Sequence, residues 1–115
     1  MTDVEIADLM EAQYQSIFQN REALATACQS FAQQNQFLKY LNMANLNALQ
    51  ARQRIFAVND PQVKLLFDEL TTAQADIEAS LANLHNIADV LNSISSGVQV
   101  ALQLLSPALA VAATI

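Results

Sequence analysis

Cys28 and His85 are the only cysteine and the only histidine in the 115-residue chain. Nucleophilic catalysis needs a nucleophile, a base within hydrogen-bond reach and a group that orients the base. If the chain folds back at residues 59–61, Cys28 comes opposite residue 92 or so, two helical turns and roughly 10 Å from His85. Cys28 therefore reads as a small buried apolar residue, and no catalytic residue is assigned. His85 and Asp89 are four apart, a spacing that would let one helix face offer both to a metal ion. Two ligands do not make a site, and no Glu-x-x-His pair of the di-iron kind occurs. His85 reads as solvent-facing. Asp3, Glu5, Asp8 and Glu11 lack the interleaved glycine of a calcium loop, and Asp68, Glu69, Asp76 and Glu78 read as a solvated face. Gly97 is the only glycine, so there is no glycine-rich phosphate loop. The expectation is a non-enzyme with no metal and no cofactor.

The balance of charges narrows the partners. Eleven acidic and five basic residues give a net charge of −6. All five basic residues lie between Arg21 and Lys64, so no stripe exists to neutralise phosphates or to hold anionic lipid; no nucleic-acid partner is expected. The N-terminus MTDVEIADLM is acidic where a secretory signal is positive. The localisation stays unknown, with the cytoplasm or secretion by a non-classical route as the expectation. Apolar types reach 53% and charged types 14%, which argues against disorder.

With one Gly and two Pro the chain lacks the turn residues of an all-β fold, and its Ala, Leu, Gln and Asn favour helices. The expected fold is all-α: a single domain over 1–115 built as a long antiparallel, coiled-coil-like hairpin with a short apolar C-terminal helical segment. Thr2 and Glu5 form a capping box, and the early carboxylates suit a helix N-terminus. No Gly or Pro follows until Pro61, so one helix is read over about 3–58, roughly 80 Å long at 1.5 Å per residue. Asn20 offers a place for a break. In VNDPQ, Asn59 would end the first helix in a left-handed conformation, Asp60 would cap the second, and Pro61 would take its first position. The turn is 59–61 and the second helix about 61–105.

Val63, Leu70, Ile77, Leu84, Leu91, Val98 and Leu105 fall seven apart without exception, the mark of a coiled-coil-like seam. Met10, Ile17, Leu24, Phe31 and Leu38 answer from the first helix. Together these twelve are the expected helix-packing interface. The stretch FLKYLNMANLNALQ is apolar on more than one face, which demands more than one neighbour. A hairpin that completes a bundle by self-association meets that demand, with itself or another helical protein as partner.

The segment 97–115 carries no charge. It would rise about 28 Å as a helix, close to a bilayer core. One reading places it in core against Ile6, Leu9, Met10 and Tyr14. The other makes it a membrane segment presenting Val98, Val100, Leu102, Leu104, Leu105, Leu109, Val111 and Ile115. The expected function is assembly through apolar helix stripes; the alternative is a membrane-active helical protein. In its NDP turn and helix–turn–helix plan alone the chain resembles subunits of type III secretion needles, small hairpins that polymerise. In pairing long helices with an apolar segment it is similar to helical pore-forming toxins.

Overall fold

The computed structural model describes residues 1–112. The chain is mostly helical, in the order α1 (Asp3–Gln19), α2 (Arg21–Ala27), α3 (Phe31–Ala51), β1 (Arg54–Phe56), α4 (Pro61–Leu81), α5 (Ile87–Leu104) and β2 (Ala110–Ala112). The four long helices pack as a bundle. Asp8 of α1 pairs with Arg52 just beyond the end of α3, and Asp3 accepts the Phe56 N–H, so α1 and α3 run antiparallel. Ser80 meets Ser93, and Gly97 lies against Ile77, so α4 and α5 are antiparallel too. Gln74 joins α4 to α1 at Ser16, and the Asn47 amide joins α3 to α5 at the Val98 carbonyl.

The two long helices expected from the sequence are thus several shorter ones. A helix of roughly 80 Å does not fit a molecule whose longest extent is 43 Å. The first break is at Asn20, whose Nδ2 donates to the Ser16 carbonyl at 2.7 Å and ends α1. The second is at Cys28, which is extended, after which Ser30 caps α3 by accepting from the Gln33 N–H at 3.1 Å. Gln33 in turn accepts from the Gln29 N–H at 2.7 Å, a variant of the capping box. The third break, in the second long helix, is the Asn83–Asn86 turn. There Asn83 accepts the His85 N–H at 3.1 Å and Asn86 caps α5 at the Asp89 N–H. Asn and Ser side chains here replace the Gly and Pro that the sequence lacks.

The 59–61 turn keeps only part of its expected form. Asp60 caps α4 at the Gln62 N–H and Pro61 is its first residue. Asn59 does not end a helix, since α3 stops at Ala51, and no described non-glycine residue has positive φ. Between them runs β1, where β-branched Ile55 and aromatic Phe56 suit a strand.

The tail is likewise not one helix. After Leu104 the chain turns through Ser106 and returns as β2, antiparallel to β1 with Ile55 opposite Val111. The Ala57 N–H donates to the Leu109 carbonyl at 2.8 Å and extends the pairing. Two apolar cores result. One joins Ile6, Met10, Phe56, Val63, Leu66 and Leu70 to Leu104, Leu105, Leu109 and Ala110. The other joins Ile17, Leu24, Phe37, Ala44 and Ile77 to Ile87, Val90, Leu91, Ile94 and Val98.

Candidate interaction surface

α3 presents two faces of opposite design. Toward the bundle it offers Ala44, Ala48 and Ala51, with Phe37 and Asn47, all buried. Small side chains there let α1 and α5 approach closely. Away from the bundle it offers Phe31, Leu38, Leu46 and Leu49, which are 78%, 51%, 55% and 56% exposed. At about 100° per residue, Phe31, Leu38, Asn42 and Leu49 fall within a sector of about 40°, with Leu46 about 40° to one side of it. Asn35 and Asn42 are exposed on this face and Asn45 is half-buried. Lys39 is the only charged residue of α3, on the flank of the stripe.

A single exposed leucine on a surface means little, but large apolar residues aligned along one helix mark an interaction face. The setting sharpens this. The acidic residues of the chain lie on α1, α2, α4, α5 and at Asp60, and none lies on α3. α3 is the one long helix that an acidic chain leaves without negative charge.

Of the twelve expected packing residues, Met10, Ile17, Leu24, Val63, Leu70, Ile77, Leu91, Val98 and Leu105 are buried. Leu84 is half-buried in the Asn83–Asn86 turn and is not a seam residue of a continuous helix. Phe31 and Leu38 are exposed, because the breaks at Asn20 and Cys28 rotate α3 relative to α1. The sevenfold series therefore crosses from one face to another without sharing a single seam. Leu46 and Leu49 complete the outer stripe. Their signal in the sequence is the two-faced apolar pattern of FLKYLNMANLNALQ, to which both belong.

Of the residues expected to present to lipid, Val98, Leu104, Leu105 and Leu109 are in the cores and Val100 is half-buried. Leu102 and Val111 are exposed, and Ile115 lies outside the described residues. Among the described residues no helix is long and apolar enough to cross a membrane.

Between the two cores lies a band of buried amides. Gln13, Asn47 and Gln74 project into it from α1, α3 and α4. Gln74 Nε2 donates to Ser16 at 3.0 Å and to Glu78 at 3.2 Å, while its Oε1 has no partner. Both polar atoms of Gln13 are unpartnered although the residue is fully buried. Gly97 faces it: a Cβ there would stand 2.8 Å from both Gln13 Nε2 and Ile77 Cδ1. A side chain at 97 would have to move the ends of Gln13 and Ile77 aside, while the backbone there is open to any residue.

The candidates for chemistry are dispersed. Cys28 is half-buried at the α2–α3 junction, and burial raises its pKa and keeps the poorly nucleophilic thiol form. His85 sits in the turn outside α5, so it does not share a helix face with Asp89, whose carboxylate is engaged by the Asn86 amide at 2.7 Å. Among the described residues no three His, Cys, Asp or Glu side chains converge as a metal site requires. The groove between α1 and α4, about 290 Å³, is lined by Ser16, Gln19, Asn20, Glu78, Leu81 and Ala82, with no base beside Ser16 other than a carboxylate. Comparison of the chain with protein-family models, with curated proteins and with solved structures finds no match.

Proposed function

We propose that the protein is a non-enzymatic helical assembly component whose contact surface is the outer face of α3 and whose partner is an apolar face of a protein helix. The observation that carries this reading is the row Phe31, Leu38, Leu46 and Leu49, exposed on a helix that holds one charge. Docking a second helix there would form a coiled-coil-like seam. The amides Asn35, Asn42 and Asn45 favour protein over lipid, since a protein helix offers hydrogen-bond partners and hydrocarbon does not. Burial of Leu104, Leu105 and Leu109 within the chain also speaks for protein contacts over membrane insertion.

A photo-crosslinking amino acid placed at Leu38 tests the reading in the cells that make the protein, with one at Glu69 on the acidic face of α4 as control. Protein adducts at 38 and none at 69 are expected. No protein adduct at 38, or equal adducts at both, overturns it.

A further inference from the structure

We infer that the groove between α1 and α4 binds a primary alkylammonium group, that of a small amine or of a lysine side chain. The site stands apart from the outer face of α3 and is tested apart from it.

α1 and α4 run parallel: Ile6 and Met10 share a core with Val63 and Leu66, and further along Ser16 meets Gln74. Their C-terminal ends therefore lie side by side. The groove of about 290 Å³ opens there, with Gln19 and Asn20 on one bank and Leu81 and Ala82 on the other. A helix C-terminus carries about half a negative charge and favours a cation. Neither helix has a basic residue in its last turn, and none lines the groove. Arg21, just beyond α1, donates to the Phe18 carbonyl and lies over the Phe18 ring, about 200° round the helix from Ser16. Glu78 adds a full carboxylate to the lining.

The floor of the groove is built to receive nitrogen. Gln74 is 6% exposed, and its Nε2 donates to Ser16 Oγ at 3.0 Å and to Glu78 Oε1 at 3.2 Å. One nitrogen thus spans both acceptors from below, and a ligand nitrogen can span them in the same way from the groove. The two acceptors hold the amide in that orientation although it leaves Gln74 Oε1 buried without a partner. Asn20 Nδ2 is fixed on the Ser16 carbonyl, so its amide offers Oδ1 as a third acceptor. An ammonium group has three N–H donors to meet them. A guanidinium prefers both oxygens of a carboxylate, and one oxygen of Glu78 is already engaged by Gln74. Leu81 and Ala82 supply an apolar wall for the methylene stem.

A second groove, lined by Leu65, Asp68, Glu69, Thr72, Ala73 and Asp76, holds more carboxylates but lies along α4 alone, away from any helix end. It separates a built site from general attraction to negative charge.

The test follows backbone amide shifts by NMR in the full-length protein as n-butylammonium chloride is added, against sodium chloride at equal ionic strength. Saturable shifts at Ser16, Gln19, Asn20, Leu81 and Ala82 are expected, in the millimolar range for a ligand this small. Glu78 is exposed, so Glu78→Gln is expected to keep the circular dichroism and melting temperature while weakening binding at least about fivefold. Asp76→Asn removes the same charge from the opposite side of α4 and is expected to leave binding unchanged. N-butylguanidinium is expected to bind more weakly. N-acetyl-lysine methylamide separates the sources: tighter binding than n-butylammonium assigns a protein side chain, and weaker binding a free amine. Equal shifts with sodium chloride, shifts centred on Asp68, Glu69 and Asp76, or binding that survives Glu78→Gln overturns the site. A guanidinium that binds as tightly overturns the ammonium.

Discussion

α3 and α5 are neighbours in the bundle and use apolar residues in opposite ways. α5 turns Ile87, Val90, Leu91, Ile94, Val98 and Leu104 inward and leaves one large apolar residue, Leu102, strongly exposed. α3 turns three alanines and Phe37 inward and leaves Phe31 and three leucines outside. Hydrophobicity alone does not decide which face is core. Alanines at 44, 48 and 51 allow close helix approach, and that fixes the inner face. Phe31, Leu38, Leu46 and Leu49 then stand outside, in excess of what the monomer uses. α5 is a structural element by this measure, whereas α3 is both structure and surface.

The sharpest way to break this comparison is to place a charge on each helix. Ile94 is 1% exposed in the second core. Ile94→Asp buries an unpaired carboxylate and should cost about 3–5 kcal/mol. That is a large part of the stability of a domain this size, roughly 5–15 kcal/mol. Chemical denaturation followed by circular dichroism is expected to show a partly or wholly unfolded protein. A cooperative transition at the parent midpoint would mean that α5 does not face the core.

Leu109 asks whether the tail belongs to the α5 kind of surface or the α3 kind. It is 9% exposed, and its carbonyl accepts the Ala57 N–H. Leu109→Ala should cost about 2–3 kcal/mol, the low end for truncating a buried leucine, since it lies at the margin of the core. A loss below about 0.5 kcal/mol, the range of surface substitutions, would put the tail outside the core.

How far the sequence told this apart depends on the kind of signal. Helical content was legible from composition, and the α4 start from Asp60 and Pro61. The cores were legible residue by residue, since nine of the twelve seam positions are buried. The topology was not. Val63 to Leu105 keep one phase across the Asn83–Asn86 turn, so periodicity could not distinguish one long helix from two antiparallel ones. The turn itself rests on Asn side chains bonding to nearby backbone, a weaker signal than Gly or Pro. β2 was hidden because Ala110 and Ala112 have low strand propensity and depend on β1 for pairing. The outer face of α3 was half legible: two apolar faces were evident, but which one met the bundle depended on the breaks at Asn20 and Cys28.

The amide band sharpens the comparison from the inside. Gln13 is fully buried with two unpartnered polar atoms, so the waist of the bundle is less well satisfied than either core. Gln13→Met keeps the length and flexibility of the side chain and removes both orphan atoms. It should stabilise the protein by about 1 kcal/mol, raising the melting temperature by roughly 3–6 °C. A lower melting temperature would mean that the amide makes a bond, and that the band contributes to stability.

The smallest expected effect lies on α3, and its smallness is the point. Leu38 is 51% exposed, and its neighbours on the outer face, Asn35 and Asn42, are exposed as well. A carboxylate there stays in water, one residue from Lys39, and leaves no cavity behind. Leu38→Glu should change the stability of the dilute protein by less than about 0.5 kcal/mol, the usual range for surface substitutions. The same kind of charge at Ile94 costs about ten times more, although both positions are large apolar residues on amphipathic helices. Measured by urea denaturation, near-equality of the two costs would show that the outer face of α3 is core in the monomer. Leu38 would then be held by the fold itself, and the row from Phe31 to Leu49 would have no surface left to offer a partner.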